Sequence, residues 1–175
     1  MRELATPETI ERFLRALGRA ASSPSRIYLT GGATAILLGF RASTVDIDLK
    51  LIPDSDEILR AIPRLKDELR VNVELAAPDQ FIPPLPGWQE RSRFIRQEGP
   101  LSLYHYDFYA QALAKLQRGH EKDLADARAF VEAGLVEPGR LRELFEAIEP
   151  DLYRYPAIDP RAFRRSVEQF AGSVG

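Results

Sequence analysis

Apolar positions along the chain switch between two spacings. Ile10, Phe13, Leu14 and Leu17 recur at the period of a helix. Thr6, Pro7 and Glu8 in front of them supply an N-cap, a proline suited to the first helical position and an acidic first turn. That helix is predicted to fade over residues 18–21. Residues 26–29 read as a strand running into Gly31-Gly32, and the unbroken apolar stretch over 33–38 as a buried helix ending near Gly39. Val45, Ile47, Leu49 and Leu51 then alternate with polar residues, which predicts a strand over 45–52. Ile58, Leu59, Ile62 and Leu65 return to helical spacing in a segment reaching Leu69, with Pro63 expected to kink it or split it in two.

Val71, Val73 and Leu75 alternate with Asn72 and Glu74, predicting a third strand with one carboxylate on its polar side. Residues 76–90 carry four prolines and read as an extended loop anchored by Phe81, Ile82, Leu85 and Trp88. Residues 92–96 and 101–106 bracket a turn and suggest a β-hairpin. Beyond Asp107 the spacing is helical: one helix capped by Asp107 and stopped at Gly119, a second over 121–132, a third over 138–148, an irregular aromatic stretch and a last amphipathic helix over 161–170. The expected fold class is α/β (α+β). A mixed sheet with flanking helices fills residues 1–106, and a helical region packed on it fills 107–175.

Composition narrows the chemistry. With 175 residues and 45% hydrophobic content the chain can bury a real core. The net charge of −2 supplies no global basic field for nucleic acid. There is no cysteine, which excludes a disulfide framework, thiol catalysis and cysteine-ligated zinc. His105 and His120 are the only histidines, so a histidine-rich metal site is not expected. No apolar run is long enough to cross a bilayer, and the N-terminus lacks the apolar core of a signal peptide. These features lead to the expectation of a cytoplasmic protein without a membrane partner. The basic residues are 20 Arg against four Lys. A GC-rich genome accounts for that bias, but it marks Lys50, Lys66, Lys115 and Lys122 as positions where a compact charge is kept.

The candidate chemistry lies between Leu29 and Lys50. Asp46 and Asp48 are one residue apart within a strand pattern, so their side chains share a face. Two parallel carboxylates are a ready chelate for a hard divalent cation. Taken alone, an Asp-x-Asp pair usually marks a turn and a Gly-Gly pair a loop. Here Val45, Ile47, Leu49 and Leu51 interleave with the acids, and carboxylates placed among them are costly without a partner. Gly31-Gly32 ahead of a helix lets backbone N–H groups approach a phosphate.

Gly31-Gly32, Asp46-Ile47-Asp48 and Val73-Glu74-Leu75 in this order resemble the DNA-polymerase-β-type nucleotidyltransferase superfamily. The run Arg41-Ala42-Ser43-Thr44-Val45-Asp46-Ile47-Asp48-Leu49 is similar to its AbiEii/MenT-like branch. So is the later segment with Lys115 on one helix and Lys122-Asp123-Leu124-Ala125-Asp126 opening the next. The resemblance covers roughly residues 26–132. It implies a nucleotidyltransferase-type fold and transfer of a nucleotide monophosphate from an NTP to an acceptor hydroxyl. Mg2+, with Mn2+ as the substitute, would be held by Asp46, Asp48 and Glu74, the catalytic and metal-binding set. Gly31, Gly32, Arg41, Thr44, Lys115, Asp123 and Asp126 would bind the nucleotide. Glu74 departs from the aspartate often found at the third position. Several members of the branch are toxins of toxin–antitoxin systems and some modify tRNA, which adds tRNA and an antitoxin protein as implied partners. The residues leave the acceptor open between tRNA, a protein side chain and a small molecule of the aminoglycoside type. They also leave open a catalytically silent nucleotide- or partner-binding module of the same fold. The arginines at 91, 93 and 96 and at 161, 164 and 165 are the local basic groups available to an RNA backbone.

Overall fold

The computed structural model describes residues 2–174. The chain forms two compact units by its internal contacts. The first comprises the chain up to Ala77 together with Ser92–His105; the second comprises Pro78–Arg91 and the chain from Tyr106 onward.

The first unit begins with helix α1 (Pro7–Ala20), capped by the Thr6 hydroxyl, which accepts from the Thr9 amide. Strand β1 (Ser25–Thr30) leads directly into helix α2 (Gly31–Leu37). Strand β2 (Asp46–Ile52), helix α3 (Asp56–Leu69) and the short strand β3 (Asn72–Glu74) follow. Strands β4 (Arg93–Glu98) and β5 (Leu101–His105) form the expected hairpin. The sheet is mixed, in the order β3-β2-β1-β5-β4. The β1–β2 and β4–β5 pairs are antiparallel; β1–β5 and β2–β3 are parallel.

Alternation divides the two faces of this sheet. Ile27, Leu29, Ile47, Leu49, Val73, Leu101 and Leu103 are buried in one cluster with Ile10, Phe13, Leu14 and Leu17 of α1 and Ile58, Ile62 and Leu65 of α3. The other face carries Asp46, Asp48 and Lys50 from β2, Tyr28 and Thr30 from β1, and Asn72 and Glu74 from β3.

Two expectations change in this unit. Pro63 does not split α3, which runs unbroken through it. The proline is exposed, while Ile58, Ile62 and Leu65 hold the helix to the core on both sides of it. Helix α1 ends at Ala20, within the expected 18–21, and a Cβ at Gly18 would stand 2.8 Å from the Glu98 carbonyl oxygen. The missing side chain lets α1 approach the β4–β5 turn. Val45 and Leu75 lie outside their strands and are exposed, at 61% and 48%.

In the second unit, residues 78–91 hold a 3-10 turn (Pro78–Gln80) and a one-turn helix α4 (Trp88–Arg91). Ile82 and Leu85 are buried anchors as expected, whereas Phe81 is exposed. Trp88 stacks on Tyr106 with ring centroids 4.3 Å apart. Helices α5 (Phe108–Arg118), α6 (Glu121–Glu132), α7 (Pro138–Ile148) and α8 (Pro160–Val174) make up the helical half. Asp107 caps α5, and Gly119 ends it in the left-handed region at φ 74°. Phe108 packs on Phe130, and Phe145 on Phe163. Among the described residues, no helix is long and apolar enough to cross a membrane.

Candidate active site on the polar face of the sheet

Asp46 and Asp48 start β2, and the parallel register sets Asp46 beside Asn72 and Asp48 beside Glu74. On the other flank Thr30, the last residue of β1, pairs with Asp48. The strand period therefore gathers three carboxylates on one face. Asp46, Asp48 and Glu74 each offer an oxygen, and these oxygens lie within 4.8 Å of one another. Both aspartates are half-buried and Glu74 is exposed. Three hard oxygen donors at this spacing fit a divalent cation, which draws oxygens to about 2.1 Å for Mg2+ after a small closing-in of the side chains.

The two glycines make room for this arrangement. Gly31 has φ 61°, a conformation few side chains tolerate, and a Cβ there would lie 2.9 Å from Asp48 Oδ2. At Gly32 a Cβ would overlap Thr44, 2.0 Å from its Oγ1. Thr44 itself is tied to the N-terminal segment: its amide donates to the Ala5 carbonyl at 2.9 Å, and its carbonyl accepts from Ala5 at 2.7 Å. Thr44 thus packs on the opening of α2. Arg41 is half-buried in the connection between α2 and β2.

Two hydrogen-bonded groups stand out that sequence spacing did not reveal. Asn72 Nδ2 donates to Asp46 Oδ1 at 2.5 Å and to Glu74 Oε1 at 3.1 Å. Below α2, the Thr34 hydroxyl donates to the Leu29 carbonyl at 3.1 Å and lies 3.0 Å from His105 Nδ1. With its single hydrogen used on Leu29, Thr34 accepts from the Nδ1–H of His105. Burial and the neighbouring Arg93 guanidinium push His105 down to about 4, so the ring is neutral near pH 7. His105 is thus buried and hydrogen-bonded to Thr34, whereas His120 is exposed at the start of α6.

Lys115, Asp123 and Asp126 are all buried in the second unit. Lys115 Nζ stands 2.8 Å from Asp126 Oδ2 and 4.0 Å from Asp123 Oδ1. Asp123 is nearer Arg118, at 3.3 Å. Asp126 is therefore the partner of Lys115, and Asp123 bridges it to Arg118. The basic groups are also engaged. Arg91 pairs with buried Asp107 at 2.8 Å, Arg96 with Glu11 and Glu98, and Arg164 with Glu149 and Glu168. Arg161 and Arg165 are exposed. A surface hollow lined by Pro24, Arg26, Ile52 and Ser102 sits at the far ends of β1 and β2 from the carboxylates, so it is no part of this site.

A family model described as "Nucleotidyltransferase of unknown function (DUF6036)" matches residues 8–170. The match takes in nearly the whole chain, and the chain belongs to that family. No curated protein and no solved structure matches it.

Proposed function

We propose that the chain is a metal-dependent nucleotidyltransferase of the AbiEii/MenT-like branch that moves a nucleotide monophosphate from an NTP to an acceptor hydroxyl. The observation that carries this reading is the convergence of Asp46, Asp48 and Glu74 within 4.8 Å beside the Gly31-Gly32 opening of α2. Membership of a nucleotidyltransferase family supports the same class of reaction.

In this reading Asp46 and Asp48 hold Mg2+, for which Mn2+ can substitute, and Glu74 completes the set. A divalent cation held by these residues would supply charge neutralisation for the triphosphate and the leaving pyrophosphate. Glu74, the exposed member, takes the proton from the acceptor hydroxyl as it attacks the α-phosphorus. Gly31 and Gly32 keep the start of α2 free of side chains, so that phosphate oxygens approach the backbone. Arg41 and Lys115 are assigned to the nucleotide. Thr44 supports Gly32, and Asp126 with Asp123 holds the Lys115 ammonium.

The test is incubation of the protein with each labelled NTP and Mg2+ in three arms: total cellular RNA, total protein and a panel of aminoglycosides. Label appearing in one arm, dependent on the metal and absent with Asp48→Asn, supports the enzyme and identifies its acceptor class. No transfer in any arm together with retained NTP binding establishes the catalytically silent module instead.

A further inference from the structure

We infer that Asn72 is a positioning residue for the proposed cation site: its side-chain amide holds Asp46 and Glu74 in the orientation that chelates. The inference rests on the cation reading of Asp46, Asp48 and Glu74.

Both hydrogens of the Asn72 amide are directed at that set. One goes to Asp46 Oδ1 at 2.5 Å and the other to Glu74 Oε1 at 3.1 Å. The reversed amide would turn its carbonyl oxygen toward two carboxylates, so the network itself fixes the orientation. Each carboxylate gives one oxygen to Asn72 and keeps a second for a cation. The register explains how one residue reaches two ligands. Asn72 lies directly opposite Asp46 across the parallel β2–β3 pair and two residues before Glu74, on the same face. Asp48 has no such bond to Asn72 and faces Glu74 across the ladder.

The residue type argues in the same direction. Asparagine is disfavoured in strands, where β-branched residues pack better. Here Val71 and Val73 occupy the neighbouring core positions, and the polar position between them carries an amide. A donor to a metal-ligating carboxylate fixes the direction of its remaining oxygen. Such outer partners typically govern about 10- to 100-fold in metal affinity.

The experiment titrates Mn2+ into the full chain, with free Mn2+ followed by electron paramagnetic resonance. It compares the natural protein with Asn72→Leu, Asn72→Gln and Asp48→Asn. Asn72→Leu keeps the approximate volume and removes both donors, and it should bind Mn2+ about 10- to 100-fold more weakly. Asn72→Gln keeps both donors on a longer arm and should recover part of that loss, which also covers the case in which the leucine variant does not fold. Asp48→Asn should lose binding without involving Asn72. Affinity equal to the natural protein in both Asn72 variants, with Asp48→Asn impaired, overturns the positioning role and leaves the cation site standing. Tighter binding by Asn72→Leu also overturns it, because the amide then competes with the cation. A natural protein that takes up no Mn2+ removes the cation reading and this inference together.

Discussion

The Gly31 backbone and the Asp48 carboxylate stand so close that a methyl group between them would require Asp48 to shift. A Cβ on Gly31 would sit 2.9 Å from Asp48 Oδ2, and φ at Gly31 is 61°. One of the proposed metal ligands is therefore shaped by a residue with no side chain. Gly31→Ala should cost about 2–3 kcal/mol, combining left-handed strain with displacement of Asp48. Gly39 gives the matching reference, because its φ is 82° and nothing lies within 4 Å of its Cβ position. Gly39→Ala should cost about 1 kcal/mol from strain alone. Urea denaturation of both variants reads the difference, and equal losses would show that Asp48 simply rotates away.

Asp46→Ala and Asp48→Ala should each lower nucleotide transfer at least about 100-fold while leaving the circular dichroism spectrum unchanged. Three carboxylates within 4.8 Å repel one another in the absence of a cation. Removing Asp48 should thus hold or raise the melting temperature in metal-free buffer. Asp46→Ala should gain less, because it strands the Asn72 amide hydrogen now given to Asp46. Retention of full activity by either variant would remove the proposed metal site.

His105 gives the fold a pH dependence with a definite sign. Its folded value, about 4, lies below the ordinary 6.5, so the unfolded chain binds the proton more readily. The stabilisation is complete above pH 6.5 and is lost as pH falls toward 4. It amounts to roughly 3 kcal/mol by the size of the shift. His105→Asn retains a donor near Thr34 but does not titrate. Thermal melts from pH 7.5 to 4.5 should show the natural protein losing stability faster than the variant, and parallel curves would dismiss the histidine as the source.

The Lys115–Asp126 contact calls for a paired substitution. Lys115→Met leaves Asp126 buried without its 2.8 Å partner and should cost about 3–5 kcal/mol. Lys115→Met combined with Asp126→Leu should recover most of that stability. If Lys115 serves the nucleotide, the recovered double variant should still bind NTP at least about tenfold more weakly. Calorimetric titration decides it, and undiminished affinity would make the pair purely structural.

Much of the first unit was legible because strand alternation is a short-range signal. Asp46 and Asp48 could be assigned to one face from their spacing alone, whereas Glu74, on another strand, joined them only through the family resemblance; the register sets Asp48 beside Glu74. Thr6, Asp107 and Gly119 announced helix ends through local chemistry. Interactions between distant segments were not legible. Nothing in the sequence joins Thr34 to His105, 71 positions later, or Arg96 to Glu11, 85 positions earlier. The close approach of Gly18 to Glu98, in another element, was equally hidden. The arginines at 91–96 and 161–165 could be named only as groups available to an RNA backbone, because spacing carries no information about which acids fold against them. Arg96 and Arg164 are each paired with two glutamates.

Strand β3 is three residues long and lies at the edge of the sheet, with a single bridge from Glu3 to Val71 beside it. Edge segments with so few backbone bonds open locally at a small fraction of the global unfolding free energy. Asp48 is paired on both sides, with Thr30 of β1 and Glu74 of β3, whereas Asp46, at the start of β2, is paired with Asn72 of β3. The carboxylate set thus unites groups of unequal permanence: Asp48 belongs to the doubly bonded part of the sheet and Glu74 to its edge. Amides of residues 72–74 should exchange with deuterium faster than those of residues 46–50, and slow when a cation is bound. If the proposed cation binds, its occupancy becomes a clasp on the sheet margin, and the completed chelate is a state the protein enters only as the cation arrives.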